Sequence, residues 1–250
     1  MADCDSKLLS VDDRSPQNDF TAVVNLPPGW RAPESAFDAD LEIFVLEGVV
    51  GVNGMAVGGD GYALVPAAAG VNLHSDTGAR ALFFALPRLE TTTETEIRVI
   101  DCWNIEWDDV SYSGEVAFLG LRRKTLHVDE PAGRRSVLLA VQSHAIPPER
   151  RGRKEHHPCT EEFYLLGGDL ISDRGTMREG AYFWRPEEIE HGPFASRTGC
   201  LAFVRFQGHN FANHLSEETH EIDLYPQYRP ILPAEMCRKL DWEWRSAFRA

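Results

Sequence analysis

Thiols are scarce in this chain of 250 residues, which has five cysteines, odd in number and far apart: Cys4, Cys102, Cys159, Cys200 and Cys237. No CxxC pair occurs. That excludes a disulfide framework and a thiolate zinc knuckle, and leaves imidazole and carboxylate as the main donors for any metal. Positive charge is also in short supply, with 25 Lys+Arg against 39 Asp+Glu and a formal net of −14. So acidic a chain repels phosphate backbones and anionic lipid, which argues against nucleic acid and membrane as general partners. A small-molecule substrate is expected, and a homodimer stays open. No apolar run approaches the roughly 18 residues of a membrane span. The opening MADCDSKLLSVDD lacks the positive n-region and apolar core of a signal peptide, so a cytoplasmic location is expected. Long amphipathic helices are missing too. Only 234–250, AEMCRKLDWEWRSAFRA, has weak helical periodicity, and it could equally be an extended tail.

What the chain does have is punctuation. The 20 Gly and 15 Pro fall between brief apolar runs such as LEIFVLEGVVGV (41–52), GYALVP (61–66), RALFFALP (80–87), RRSVLLAV (134–141), EEFYLLGG (161–168) and CLAFVRF (200–206). Short runs rich in β-branched and aromatic residues, bounded by turn formers, predict an all-β sandwich or barrel. Sliding the sequence against itself by 120 positions aligns Pro27-Pro28 with Pro147-Pro148, Glu42 with Glu162, Leu46 with Leu166, Gly48 with Gly168 and Tyr62 with Tyr182. It also aligns Pro66 with Pro186 and Phe83 with Phe203, while Gly78 falls one residue short of Gly199. Turn formers and core apolars are the classes a duplicated β fold retains. The expected organisation is a barrel over 17–90, a linker at 91–106, a second barrel over 107–210 and a C-terminal extension at 211–250.

The second copy concentrates the chemistry. Glu155-His156-His157-Pro158-Cys159-Thr160-Glu161-Glu162 runs into an apolar strand, and His191 follows 30 residues after Glu161. Side chains alternate along a strand, so 155 and 157 share a face, joined by 161 if the alternation persists. Glu155, His157, Glu161 and His191 would then converge as two imidazoles and up to two carboxylates, a donor set for a divalent first-row metal.

HPCTEEFYLLGG and GAYFWRPEEIEH resemble the two motifs of the cupins, G(X)5HXH(X)3–4E(X)6G and G(X)5PXG(X)2H(X)3N. His157, Glu161 and Gly168 match the first, and Gly180, Pro186 and His191 the second. The doubled Glu161-Glu162 and the tail His191, Pro193, Phe194, Gly199, Cys200 are similar to the ChrR-like and acetylacetone-dioxygenase-like branch. The resemblance implies two tandem jelly-roll-like barrels, with one metal in the C-terminal barrel on His157, Glu161 and His191. This chain departs from the pattern at three places. Glu155 stands at the first His of HXH, Glu188 at the Gly of PXG, and Ala195 at the final Asn. The three-His centre is therefore not reproduced, and Glu155 becomes a fourth ligand or a freed base. At an offset of 120 the first copy has Ser35, Phe37, Leu41 and Val71 in the four ligand slots, so it is expected to hold no metal; His74 is one imidazole alone.

Neighbouring residues have plainer readings. His156 is expected to point away from the site, with a lesser role as a substitute for Glu155 through a bulge. Glu162 should face opposite Glu161, and Cys159 reads as an inert buried thiol. Phe163, Tyr164, Trp184, Arg185 and Arg205 are candidates to line the cavity. An inward arginine, with Arg205 taken as the catalytic one, would pair with a substrate carboxylate or enolate. The run Glu149-Arg150-Arg151-Gly152-Arg153-Lys154 reads as a solvated rim able to draw in an anion. His74, His127, His144, His209, His214 and His220 show no ligand spacing.

The resemblance implies an Fe(II) dioxygenase-like enzyme cleaving a carbon–carbon bond of an enolisable carbonyl compound. Its alternatives are a hydrolase, isomerase or lyase using Zn, Mn or Ni, and a sensing cupin without catalysis.

Overall fold

The computed structural model describes residues 4–12, 19–32, 35–36, 39–67, 69–110 and 114–226. Cys237, Phe37 and the stretch 234–250 lie outside them. The described residues carry 20 strands, three short 3-10 turns and no long helix, as the punctuated apolar runs predict. None of their helices is long and apolar enough to cross a membrane.

The first half contains β1 (Asp5–Asp12), β2 (Asp19–Leu26), β3 (Trp30–Arg31), β4 (Ser35–Ala36), β5 (Ala39–Val52) and β6 (Met55–Gly58). It continues with β7 (Gly61–Val65), β8 (Gly70–Val71), β9 (Leu73–Ser75), β10 (Ala79–Pro87) and β11 (Arg98–Asp101). The second half contains β12 (Asp108–Asp109), β13 (Arg122–Asp129), β14 (Arg134–Val141), β15 (Arg151–His156) and β16 (Thr160–Ser172). After these come β17 (Gly175–Arg178), β18 (Tyr182–Arg185), β19 (Cys200–Gln207) and β20 (His214–Glu221).

All the pairings are antiparallel, and the two halves repeat one topology. The order β1-β2-β10-β5-β7 in the first is matched by β13-β14-β19-β16-β18 in the second, with β6 and β17 as the hairpin partners of β5 and β16. The sheets overrun the boundaries expected from the sequence. β1 lies before residue 17, β11 pairs β7 from within the 91–106 stretch, and β20 pairs β15 from within 211–250. The reason is hydrogen bonding: an otherwise open sheet edge recruits nearby extended chain, polar or not, to satisfy its backbone groups.

Each sheet buries both faces, which explains the near-continuous apolar runs. One face of the first sheet packs inward, with Val24, Ile43, Val45, Ala63 and Phe83 at the centre of that barrel. The other face, with Val23, Phe44, Leu64, Leu82 and Phe84, meets Leu126, Leu138, Tyr164 and Phe203 of the second sheet. The Phe203 ring lies 5.2 Å from Phe44 and 5.1 Å from Phe84, favourable offset or tilted aromatic contacts that tie the halves together.

The duplication is visible in backbone detail. Gly48 (φ +78°) crosses against Gly78 and Ala79, and Gly168 (φ +83°) crosses against Gly199 and Cys200; a Cβ at either glycine would collide with the facing carbonyl oxygen. Since Ala79 pairs Gly48 and Cys200 pairs Gly168, the offset in these last strands is 121 and not 120. One residue of slip reverses which face a side chain takes. Phe203 therefore corresponds to Leu82 on the inter-barrel face, while Phe83 points into its own barrel. The ungapped match of Phe83 with Phe203 is corrected accordingly.

Candidate metal centre

Glu155 sits near the end of β15, and His157 follows that strand directly. Glu161 is the second residue of β16, and His191 lies in the connection between β18 and β19. An isolated antiparallel bridge ties Glu155 to His191: each backbone N–H donates to the other's carbonyl at 2.9 Å. The first copy repeats this bridge between Ser35 and Val71, at the offset of 120 that assigned these positions to ligand slots. There Leu41 and Val71 are buried in the apolar core.

The side chains of the second copy converge. Donor atoms of Glu155, His157 and His191 all lie within 4.8 Å of one another, and the two imidazole rings are 5.0 Å apart at 64°. Each imidazole is held from behind. His157 Nδ1 lies 3.1 Å from the Ala212 carbonyl oxygen, and His191 Nδ1 2.8 Å from that of Ile189. An Nδ1–H donated to a carbonyl leaves Nε2 as the lone-pair nitrogen turned toward the site. His191 Nε2 is buried without a hydrogen-bond partner, with Glu155 Oε1 at 3.6 Å and Glu161 Oε2 at 3.7 Å. A buried ring nitrogen facing two carboxylates with no hydrogen-bond partner is costly unless a cation completes it. Two nitrogens and at least one carboxylate fit a divalent first-row metal.

The local electrostatics agree. Burial pulls the His157 imidazole below its ordinary range, with Glu161 and Glu155 opposing it only in part, so the ring is held neutral and free to coordinate. Burial alone would push Glu155 up. Its contact with His191, together with the Asn213 amide, outweighs that, and its carboxyl lies below the usual value.

Glu161 is placed differently from its neighbours. Its Oε2 accepts from Arg185 Nη1 at 3.2 Å, and the Arg185 guanidinium lies 3.6 Å from the Phe183 ring centroid. Arg185, on β18, is thus the arginine beside the site, stacked on an aromatic face and paired with a carboxylate. The cavity running away from the cluster is apolar, walled mainly by Leu119, Leu139, Phe163, Phe183, Phe206 and Phe211.

Arg205, expected as a catalytic arginine, is corrected. Phe206 lines the cavity and Val204 packs in the core of the same barrel, so alternation sends Arg205 to the opposite face of β19, where it is 1% exposed between the barrels. There its Nε donates to Glu42 at 3.2 Å and its Nη1 lies 3.6 Å from Glu162. Glu162 does face opposite Glu161, but its role is in this contact between the barrels. Tyr164 also packs at that contact, Trp184 is exposed, and Phe163 stacks on Phe183 at 4.9 Å inside the cavity. His156 points outward, stacking on His214 at 5.2 Å with Glu188 3.5 Å away. Cys159 is buried, and burial pushes its thiol up to about 11, out of reach of thiolate chemistry near neutral pH. Glu188, at the glycine position of the second motif, adopts φ +62°, so the turn keeps the glycine-like backbone without the glycine. In the basic run, Arg151 and Arg153 are bonded to Thr219, Ser216, Leu215 and Glu115. They bind the last strand to the barrel and do not line an open rim.

The segment 211–213 was missed by sequence reasoning. Phe211 packs 4.8 Å from the His157 ring, Ala212 accepts from that ring, and Asn213 Nδ2 donates to Glu155 Oε2 at 2.6 Å. No motif marks these residues. The one available signal was the polar extended stretch HLSEETHE after them, complementary in charge to RRGRK.

Comparison with known proteins bears on the whole arrangement. The family described as ChrR cupin-like domain matches residues 96–210. A candidate dioxygenase from Nostoc punctiforme superposes with a TM-score of 0.66 at 22% identity, over 82% of this chain and 73% of that one. A candidate glyoxylate-induced protein from Pseudomonas aeruginosa gives 0.63 at 15%, covering 82% and 80%. The salicylate 1,2-dioxygenase of Pseudoaminobacter salicylatoxidans, in a mutant form, gives 0.53 at 12%, covering 81% and 76%. A search of curated proteins by sequence finds no match.

Proposed function

We propose, from the match of residues 96–210 to the ChrR cupin-like domain, that the second barrel binds one divalent metal on Glu155, His157 and His191 and is a metal-dependent enzyme acting on a small apolar carbonyl compound. The observation that carries the reading is the pair of imidazoles each set by Nδ1 against a backbone carbonyl, with donor atoms of both rings and of Glu155 within 4.8 Å of one another and His191 Nε2 facing that carboxylate. Fe(II) is the preferred ion: two imidazoles and one carboxylate with open positions are the facial arrangement of non-haem oxygenases, and dioxygenases stand among the structures of similar fold.

A divalent metal held by Glu155, His157 and His191 would supply Lewis acidity toward an enolisable carbonyl and, as Fe(II), the redox chemistry that O2-dependent carbon–carbon cleavage needs. The chain's own residues do the rest. Phe163, Phe183, Phe206 and Phe211 exclude water and hold an apolar substituent. Arg185, beside Glu161, sits within reach of the negative charge that develops on an enolate oxygen. Glu161, released from Arg185 by an incoming anion, is placed to take the α-proton.

One observation favours a second reading. With Glu161 added to Glu155 the site has two carboxylates, which suits Zn, Mn or Ni and a hydrolase, isomerase or lyase. Anaerobic loading with Fe(II), followed by O2-uptake assays on β-dicarbonyl compounds, separates the two. Fe-dependent O2 consumption that vanishes in His157→Ala is expected. Tight zinc binding with no O2 uptake on any such compound would contradict the oxygenase.

A further inference from the structure

The segment that leaves the second barrel at its C-terminal end does more than close a sheet edge. It departs β19 at Gln207, turns back over the cavity, and enters β20, which pairs along β15 with His214 opposite His156 and Leu215 opposite Glu155. Three consecutive residues on this return touch the candidate ligands. Phe211 covers the His157 ring, the Ala212 carbonyl takes its Nδ1, and Asn213 Nδ2 holds Glu155 Oε2. Glu155 Oε1 is left facing His191 Nε2. One oxygen of the carboxylate is therefore tied down by an amide while the other is aimed at the site.

We propose that Asn213 is a positioning residue for the metal: it fixes the rotamer of Glu155 and thereby makes Glu155, and not Glu161, the carboxylate ligand. The inference rests on the proposed metal centre. The two carboxylates differ in what holds them. Glu161 carries the Arg185 guanidinium at 3.2 Å, a cation that competes directly with a metal for the same oxygen. Glu155 has no guanidinium on it, and the neutral Asn213 amide orients one oxygen without neutralising the group. A carboxylate whose non-coordinating oxygen is hydrogen-bonded loses little rotamer entropy on binding, and such outer partners are typically worth 10- to 100-fold in metal affinity. Asn213 lies one residue before β20, and the pairing of β20 with β15 brings it to Glu155. The C-terminal strand is thus part of the site.

The test is a coupling measurement on the full chain, with Co(II) as the probe, read by competition titration and by its visible absorption. Asn213→Leu keeps the side chain's volume and removes the donor. The expected result is a 10- to 100-fold weaker Co(II) affinity with an altered absorption band, against an unchanged melting temperature of the metal-free protein. In a Glu155→Ala background the same substitution is expected to add less than twofold, since the acceptor is gone. If Asn213→Leu folds poorly, Asn213→Ala replaces it in both backgrounds. Affinity and spectrum within twofold of wild type, or an equal loss with and without Glu155, would overturn the proposal. A wild-type chain that binds no Co(II) would instead overturn the metal centre beneath it.

Discussion

At the scale of single residues, the second barrel turns ordinary side chains into a candidate site by controlling which atom each one presents. His157 is the clearest example. Burial pulls its imidazole down, so the neutral ring is the form the fold stabilises. The sign is that of a depressed group: stability from the neutral ring is in place above the unfolded value near 6.5 and is lost as pH falls through the lowered folded value. Histidine NMR of the metal-free protein is therefore expected to find His157 still mostly neutral at pH 6.5. A half-protonated or largely protonated ring at that pH would contradict the account. The convergence of these side chains was legible because motif spacing places them: His157, Glu161 and His191 are read from the sequence, and Glu155 from its departure from the motif. Arg205 was misread because a residue's neighbours in sequence say nothing of which face of β19 looks into the cavity; alternation from Phe206 decides it. Asn213 was not legible at all, since its partner Glu155 is 58 positions away.

Among the elements, the loop before β19 shows how a carboxylate can organise a connection close to the site. Asp169 Oδ1 accepts from the backbone N–H of Arg197 and Thr198 and from the hydroxyls of Ser196 and Thr198, and Oδ2 accepts from Arg197 Nε at 2.8 Å. Burial alone would raise this carboxyl, but these donors dominate and lower it to about 2. A depressed carboxyl contributes stability above its unfolded value and loses it as pH falls through the folded one. The contribution is about 2 kcal/mol at neutral pH, withdrawn between roughly pH 4 and pH 2. Urea unfolding of Asp169→Asn is expected to show a deficit of that order at pH 7, shrinking toward pH 3; a deficit that does not change with pH would argue against the charge as its cause. Strand existence was legible from the apolar runs. Strand ends and edge strands were not: β1, β11 and β20 are largely polar or exposed and form because a neighbour needs their backbone groups.

The whole molecule is two copies of one sheet joined face to face through a buried polar centre. Glu42 and Glu162 are equivalent positions in the two copies. Each accepts from the other copy, Glu162 from the Thr21 hydroxyl at 2.6 Å and Glu42 from the Ser136 hydroxyl, and Thr21 and Ser136 sit opposite equivalent residues of β10 and β19. Arg205 serves both carboxylates, and its guanidinium lies 4.5 Å from the ring of Phe84, its own counterpart. One cation for two buried acids makes this contact sensitive. Arg205→Met would leave two unpaired carboxylates and is expected to cost about 3–5 kcal/mol at pH 7. Deprived of the Arg205 cation that offsets its burial, Glu42 would titrate above its unfolded value, so this penalty should shrink as pH falls toward 5. Urea midpoints at pH 7 and pH 5 check it, and equal losses at both would refute it. The repeat was legible at offset 120. That it would mate through its own equivalent residues was not, because the single-residue slip to 121 in β19 hides Arg205 opposite Phe84.

On the proposed reading, the second barrel holds one metal on Glu155, His157 and His191 while the first holds none. Elemental analysis after loading with Fe(II), Co(II) or Zn(II) and removal of excess tests it most directly. One equivalent per chain is expected, lost in both His157→Ala and His191→Ala. No bound metal in the wild type, or a full equivalent retained in the double variant, would contradict it.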